Sequence, residues 1–250
     1  MRGLGYEAQF QFYARTYFIG ALFNQVLPTS VGGDAVRIAY TKRLGRGLRT
    51  AFNGVMVDRY YGIAGLILIN LALLPSLYQV VPRNIFLIIV GIISAVTVGL
   101  LVALTLCKLH VFKRFKITRV FYDLSLALVE SATSIRKVML LLLLAILTNL
   151  LTIIGIYSIA VALDVPVGLL NLLGIMPAVT LITLLPVSFA GWGIREGAML
   201  SLLAFLGIPK AGILSVSILY GIALIFAGLP GLYFYLVGNT SWHTPNKIAK

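Results

Sequence analysis

Residues 185–196 read LPVSFAGWGIRE and interrupt a long run of apolar sequence. Pro186, Gly191 and Gly193 break the helical pattern, and two opposite charges, Arg195 and Glu196, follow side by side. Proline lacks the backbone N–H that a helix interior needs, and glycine weakens a helix. The stretch therefore predicts a break between two short helices inside a hydrophobic region.

A second stretch, residues 27–37 with the sequence LPTSVGGDAVR, aligns with the first without a gap. The proline lies nine positions before the arginine in both copies. The matched pairs are Leu27 with Leu185, Pro28 with Pro186, Ser30 with Ser188, Gly33 with Gly191, and Arg37 with Arg195. We interpret the two stretches as copies of a degenerate internal repeat.

The composition indicates that this repeat lies in a membrane. Of the 250 residues, 60% are hydrophobic and 11% are charged, whereas a soluble domain carries about 25% charged residues. Each membrane-spanning helix needs about 20 apolar residues. The sequence therefore predicts an all-α polytopic membrane protein, with one integral domain over residues 1–250. We expect about five to seven membrane segments, including re-entrant broken helices.

The net charge of +13 is better explained by the positive-inside rule than by nucleic-acid binding, because basic residues gather in cytoplasmic loops of membrane proteins. They concentrate here in residues 35–53 and 108–137, and the tail 241–250 is polar and basic. We predict a multi-pass protein of the cell (inner) membrane, with both basic loops and the C-terminus in the cytoplasm. No nucleic-acid partner is expected.

Apolar runs and turn residues divide the chain into predicted segments. Residues 168–206 suit two half-length helices that dip into the membrane and return, and residues 75–83 suit a short turn. Apolar residues at helical spacing in residues 117–137 predict an amphipathic helix in the membrane interface. The remaining predicted helices cover residues 9–27, 54–74, 85–107, 138–163 and 211–237.

The two copies of the motif are predicted to have opposite orientations in the membrane. Three predicted crossings, 54–74, 85–107 and 138–163, separate the copies, and an odd number of crossings inverts the direction of the chain. Inverted repeats with broken helices near the membrane midplane are the architecture of many transporters.

Each break offers groups that suit a phosphate. Freed backbone N–H groups and a half-helix N-terminus attract anions, and an arginine binds phosphate in a bidentate manner. Asp34 and Glu196 would balance the arginines in an empty site or bind a cationic head group. We therefore predict, as partners, membrane lipids with anionic or zwitterionic head groups. The alternative is that the break is a kink and that Arg195 and Glu196 form an internal salt bridge that fixes packing.

The candidate substrate-binding residues come from the two copies and from an acid–arginine pair near the start of the next helix. They are Asn24, Pro28, Gly32, Gly33, Asp34, Arg37, Asp58, Arg59, Pro186, Ser188, Gly191, Gly193, Arg195 and Glu196. The lone Cys107 cannot form an internal disulfide, and His110 and His243 lack neighbours with ligand-like spacing. We expect no metal, no cofactor and no catalytic residues.

These residues resemble the lysylphosphatidylglycerol synthase transmembrane-region family, also called flippase-like domain proteins. The resemblance covers nearly the whole chain and rests on Asn24, Pro28, residues 32–34, Arg37, Asp58 and Arg59, Pro186 and residues 191–197. It implies a bacterial or archaeal inner-membrane protein with re-entrant helices, related to the part of a bifunctional enzyme that flips aminoacylated phosphatidylglycerol outward. The aminoacyl-transferase domain is absent, so no lysyl transfer is implied. Members usually have further membrane helices before the first motif, so we expect this chain to be a fragment or to have a late start.

The leading functional prediction is a flippase-like protein that translocates a phospholipid or polyprenyl lipid. One alternative is a membrane enzyme that modifies head groups with Ser30, Ser188, Asp34 or Glu196, although neither copy contains a histidine. Another is a non-catalytic membrane partner of a lipid-modifying enzyme or glycosyltransferase, docked through residues 117–137. The lipid, the direction of movement, the energy source and the oligomeric state, a homo-oligomer included, stay open.

Overall fold

The structure is a computed structural model that describes residues 10–27, 32–43, 47–105, 116–184 and 191–241. Every regular element in these ranges is helical, which confirms the predicted all-α class. The helices are α1 (Phe10–Val26), α2 (Gly32–Lys42), α3 (Leu48–Val80), α4 (Arg83–Thr105), α5 (Lys116–Ser131), α6 (Ile135–Ala162), α7 (Leu169–Thr183), α8 (Ile194–Leu203) and α9 (Lys210–Ser241), with a 3-10 turn at Ala204–Leu206.

Four helices of the described chain are long and apolar enough to cross a membrane: α3, α4, α6 and the Lys210–Val237 part of α9. Their outer surfaces carry large exposed hydrophobic side chains, such as Leu101, Leu143 and Phe226. A continuous apolar surface of this kind suits contact with lipid rather than with water. The chain is therefore a multi-pass membrane protein.

The predicted boundaries of the third helix were wrong. The helix α3 begins at Leu48 rather than at residue 54, and it continues past Pro75 to Val80. A proline is tolerated inside a membrane helix because neighbouring helices and local adjustments satisfy the freed backbone groups. The predicted turn at 75–83 is reduced to the two residues between α3 and α4.

The basic stretch 35–53 is mostly helical, which corrects the prediction of a loop. It contains most of α2 and the first turns of α3. The helix α2 begins at Gly32, inside the first copy of the motif. Residues 28–31 and 44–46 lie outside the described residues.

The predicted amphipathic helix 117–137 ends earlier than expected, because α5 stops at Ser131 and α6 begins at Ile135. The hydroxyls of Ser131 and Thr133 donate to the carbonyl oxygens of residues 128 and 130, at 2.7 and 2.9 Å. Such local side-chain bonds compete with the helical backbone pattern. The inner face of α5 packs on α3, where Leu128 contacts the cluster that contains Tyr61.

Both copies of the motif lie in helix–break–helix hairpins. We call α1 with α2 the first hairpin, and α7 with α8 the second hairpin. The helices of the second hairpin have 15 and 10 residues, which confirms the predicted pair of half-length helices. Residues 185–190 of its break lie outside the described residues, and residues 191–193 form a turn.

The long helices α3 and α9 each contact both hairpins. The helix α3 meets α2 at Asp58 and meets α7 near Ser76, where a Cβ on Gly174 would lie 3.4 Å from the Ser76 Cβ. The helix α9 meets α8 at Gly221, and it meets α1 at Gly231, where an added Cβ would overlap the Phe18 carbonyl oxygen.

The first hairpin therefore lies at the amino-terminal half of α3 and the carboxy-terminal half of α9, and the second hairpin lies at the other halves. The two long helices run in opposite directions between the hairpins. Asp58 and Ser76 are separated by about 27 Å of helix at 1.5 Å per residue. This is the arrangement expected of an inverted repeat.

The apolar core is concentrated around the second hairpin. Leu172, Ile175 and Met199 are fully buried in a cluster that also draws on α3, α4, α6 and α9. The buried cluster of the first hairpin is small and consists of Phe12, Ile19 and Tyr40. The two hairpins therefore differ in how firmly packing holds them.

Candidate functional site

Four charged residues join α2 to α3, and we call them the first charge cluster: Asp34, Arg37, Asp58 and Arg59. Arg37 donates from Nη2 to the Asp58 Oδ2 at 2.7 Å, and from Nη1 to the Asp34 Oδ1 at 3.4 Å. Arg59 donates from Nε to the Asp34 Oδ2 at 2.6 Å. Two acids and two bases are thus linked in one chain of ion pairs, and their formal charges cancel.

Asp34 is the buried centre of this cluster, with 3% of its surface exposed. A buried carboxylate requires charged or hydrogen-bonding partners, because desolvation of an unpaired charge costs several kcal/mol. Both of its oxygens have an arginine partner. Asp58 differs, since 52% of its side chain is exposed.

Close backbone packing between α1 and α2 fixes the position of the cluster. An added Cβ on Gly33 would overlap the carbonyl oxygen of Gly20, and a Cβ on Gly20 would lie 2.7 Å from the Arg37 Cγ. Small residues allow helices to approach this closely in membranes. The Gly33 N–H donates to the Asn24 Oδ1 at 2.8 Å, so an internal acceptor already occupies one N–H group at the start of α2.

A cavity of about 490 Å³ opens beside the first charge cluster, between α1, α2, α3 and α6. Arg37 and Asp58 line it, and the Arg37 guanidinium lies 5.5 Å from the centre of the Tyr17 ring. Cavities of about 300–1,000 Å³ with a few polar groups in an apolar lining are typical of ligand sites. The other lining residues are Phe10, Tyr13, Thr16, Thr41, Gly54, Val57, Tyr61 and Leu141.

The second copy forms a different arrangement, which we call the second charge cluster: Arg195, Glu196 and Ser217. Arg195 donates from Nη2 to the Glu196 Oε1 at 2.9 Å and from Nε to the Ser217 Oγ at 3.1 Å. Ser217 donates in turn to the same Glu196 oxygen at 3.0 Å. These three side chains form a closed triangle that links α8 to α9.

Aromatic rings enclose the second charge cluster. The Arg195 guanidinium lies 5.0 Å from the Trp192 ring centre and 5.4 Å from the Tyr220 ring centre. A Cβ on Gly221 would lie 2.5 Å from the Arg195 Nη2 and 2.6 Å from the Trp192 ring. With 6% of its surface exposed, Arg195 is packed inside the protein.

The turn before α8 depends on its glycines. Gly191 and Gly193 have φ angles of 84° and 82°, a region that glycine reaches without steric cost. The Gly193 N–H donates to the Glu196 carboxylate, which therefore caps the start of α8 as well as pairing with Arg195. An internal acceptor again occupies an N–H group that the sequence predicted as part of an anion site.

The predicted site residues fall into two separate groups. One group surrounds the first charge cluster: Asn24, Gly32, Gly33, Asp34, Arg37, Asp58 and Arg59. The other surrounds the second charge cluster: Gly191, Gly193, Arg195 and Glu196. Pro28, Pro186 and Ser188 lie outside the described residues. The substrate-binding roles of all these residues stay predictions.

Sequence reasoning missed the cavity-lining residues of α1 and the α9 residues of the second charge cluster. Ser217 had a detectable signal, because Arg37 and Asp58 are 21 residues apart while Arg195 and Ser217 are 22 apart. A gap-free extension of the repeat to the following long helix places Ser217 opposite Arg59, one position after Asp58. The change from a charged residue to serine concealed this approximate match.

Two helical hairpins packed against long apolar helices, four of which could span a membrane, define an all-α polytopic membrane protein. The chain matches the family described as lysylphosphatidylglycerol synthase TM region over residues 1–231, and it belongs to that family. The resemblance predicted from the sequence is thereby confirmed. No curated protein and no solved structure gives a significant match to the chain.

Proposed function

We propose that the cavity beside the first charge cluster binds the head group of a phosphate-containing lipid, and that the protein moves this lipid across the cell membrane. The observation that carries the proposal is the position of Arg37. Its side chain is 14% exposed and lines a cavity whose remaining wall is largely aromatic and aliphatic. A cation that lines a largely apolar cavity is a candidate substrate group.

The partners of Arg37 support an exchange with phosphate. Asp58 is half exposed, and exposed ion pairs contribute little stability. Little free energy is therefore lost when a ligand oxygen replaces the Asp58 carboxylate as the partner of Arg37. Asp34 remains paired with Arg59 during this exchange. The planar guanidinium then binds two phosphate oxygens, and Asp58 is free to accept an ammonium group of a zwitterionic lipid.

The apolar lining supports a lipid rather than a small soluble anion. Phe10, Val57 and Leu141 line the same cavity as Arg37. Phe10 and Leu141 are also exposed on the outer surface, where lipid chains would contact them. A phospholipid or a polyprenyl phosphate combines the anionic and apolar parts that such a site recognises.

The architecture supports translocation rather than chemistry. Inverted repeats that contact both ends of the same long helices suit alternating access from the two membrane faces. We assign the cluster binding and movement of lipid, with no covalent step. We further propose that the basic residues of 35–53 and 108–137 face the cytoplasm, in keeping with the positive-inside rule.

The proposal is tested in proteoliposomes with fluorescent phosphatidylglycerol, by following the fraction accessible to an external quencher. We expect Arg37→Gln to slow translocation at least about tenfold, because a charge-assisted phosphate contact contributes about 1.5–3 kcal/mol. Arg83→Gln is the matched control, because Arg83 is an exposed arginine at the start of α4. Equal translocation by wild type, Arg37→Gln and protein-free liposomes would refute the proposal.

A second candidate is a non-catalytic membrane partner of a lipid-modifying enzyme or glycosyltransferase. The outward face of α5 favours it, because Phe121 and Val129 are exposed while the opposite face is packed on α3. Phe121→Ser with Val129→Ser should then release a co-purifying enzyme. This candidate replaces the first if that release occurs and the wild type moves no lipid.

A further inference from the structure

Thr16 lies in α1 and lines the cavity beside the first charge cluster. It is 5% exposed, and its hydroxyl oxygen is buried without a hydrogen-bond partner among the described residues. A buried hydroxyl without a partner is unfavourable, since it has lost its hydrogen bonds to water. Its presence at a cavity wall therefore suggests that a ligand provides the missing partner.

Four other threonines in helices of this protein have a hydrogen-bonded hydroxyl. The hydroxyls of Thr41, Thr97, Thr148 and Thr180 each donate to the carbonyl oxygen four residues earlier, at 2.7–2.9 Å. This back-bonding is the usual way to satisfy a threonine hydroxyl within a helix. Thr16 is also within a helix, yet its hydroxyl does not form this bond.

Thr16 lies on the same wall as Arg37. Gly20, one helical turn after Thr16 on the same face of α1, is where the Arg37 side chain crosses α1. The guanidinium then lies 5.5 Å from the ring of Tyr17, the residue that follows Thr16. Thr16 of α1 and Arg37 of α2 therefore line the same cavity from two helices in contact.

We propose that Thr16 determines specificity at the head-group site, by donating a hydrogen bond to a phosphate oxygen of the lipid that Arg37 binds. This inference rests on the proposed function and names a further binding residue for it. A cation alone attracts any anion, whereas a hydroxyl at a fixed position selects a ligand with an acceptor oxygen there. The shared chemistry is a phosphate group, and the apolar lining favours a phospholipid over inorganic phosphate as its source.

The test compares Thr16→Val, Thr16→Ser and wild type in a native mass-spectrometry titration with dioleoylphosphatidylglycerol. We expect Thr16→Val to raise the Kd about tenfold, because valine keeps the shape and removes the donor. Thr16→Ser should stay within about twofold of wild type. Thr148→Val is the matched control, since its hydroxyl is exposed on α6 and bonds to its own helix.

A lipid-free unfolding measurement separates binding from structure. Thr16→Val should unfold at the same temperature as wild type or higher, because it removes a buried hydroxyl that has no partner. A fall in the unfolding temperature, or lipid binding by Thr16→Val equal to that of wild type, would overturn the inference.

Two further comparisons identify the source of the phosphate and separate this inference from the proposed function. Inorganic phosphate that binds in a Thr16-dependent manner as tightly as the lipid would overturn the phospholipid assignment. Loss of lipid binding in Arg37→Gln, with retention in Thr16→Val, refutes only the role of Thr16. Wild-type binding by both variants refutes the proposed head-group site as well.

Discussion

The two hairpins carry the same proline-to-arginine motif, but they use its arginine differently. Arg37 lines a cavity and forms an ion pair with Asp58, whose side chain is 52% exposed. Arg195 is enclosed by Trp192 and Tyr220 and is bonded to neighbours inside the protein. The comparison teaches that the neighbours of the shared arginine, from the long helix and from within each copy, decide whether the arginine is available to a ligand.

The difference can be traced to the position of the acid. In the first hairpin the exposed partner of the arginine, Asp58, comes from α3, 21 residues further along the chain. In the second hairpin α9 contributes Ser217 at nearly the same spacing, and the acid is Glu196 within the motif. The adjacent acid also caps the start of α8, so one carboxylate both pairs with Arg195 and holds the first turn of the helix.

The two hairpins also differ in how many of their apolar side chains are buried in the core. The second hairpin contributes fully buried side chains, such as Ile175 and Met199, to the large core. The first hairpin has only a small buried cluster of its own among the described residues. Local opening is easiest where few apolar contacts must break. We therefore expect ligand-linked movement at the first hairpin rather than at the second.

The largest expected effect on stability is at Arg195. Arg195→Gln leaves Glu196, whose side chain is only 14% exposed, without its charged partner and removes the contacts with Trp192 and Tyr220. Breaking one side of a buried ion pair costs about 3–5 kcal/mol. Thermal unfolding in detergent should show this loss, while Arg83→Gln at the exposed surface should change stability by less than about 0.5 kcal/mol. Wild-type stability of Arg195→Gln would mean that the second charge cluster does not hold α8 to α9.

A smaller loss is expected where the first hairpin packs backbone against backbone. A Cβ on Gly33 would overlap the Gly20 carbonyl oxygen, so Gly33→Ala must push α1 and α2 apart, at about 1–3 kcal/mol. Gly62→Ala is the matched control, because a Cβ there meets nothing within 4 Å. It should be neutral or raise stability by up to about 1 kcal/mol. Equal effects of the two substitutions on thermal unfolding would contradict the close crossing.

The smallest effect is expected for the ion pair between α3 and α5. The Arg49 Nη1 lies 3.3 Å from the Asp123 Oδ2, and 55% of the Arg49 side chain is exposed. Exposed pairs contribute about 0.2–1 kcal/mol and are screened by salt. A double-mutant cycle with Arg49→Gln and Asp123→Asn should give a coupling energy in this range that falls in high salt. A coupling energy above about 2 kcal/mol would contradict this prediction, because the pair would then be as strong as an enclosed one such as Arg195–Glu196.

Sequence reasoning reached much of the fold because helix length and hydropathy are local properties. Predicted helix 9–27 corresponds to α1 (Phe10–Val26), and the break in residues 168–206 separates α7 from α8. Pro75 misled the prediction because the rule for proline in water is weaker in a membrane helix. The early end of α5 was missed because side-chain bonds to the backbone, such as that of Ser131, leave no mark in the hydropathy pattern.

The site was only partly predictable for a different reason. The charged residues stood out because they interrupt apolar sequence, and the repeat drew attention to Arg37 and Arg195. The cavity depends on how α1 packs against α2 and α3, so Thr16 and Tyr17 gave no separate signal. Arg37 lines a cavity whereas Arg195 is enclosed. This difference depends in part on residues of α3 and α9, which lie outside the two aligned stretches.

The most direct test of this account is lipid occupancy in native mass spectrometry for Arg37→Gln and Arg195→Gln, at a temperature where both variants remain folded. We predict that Arg37→Gln loses the bound phosphatidylglycerol, whereas folded Arg195→Gln retains it. Retention by Arg37→Gln together with loss from Arg195→Gln would contradict the account and would assign the head-group site to the second hairpin.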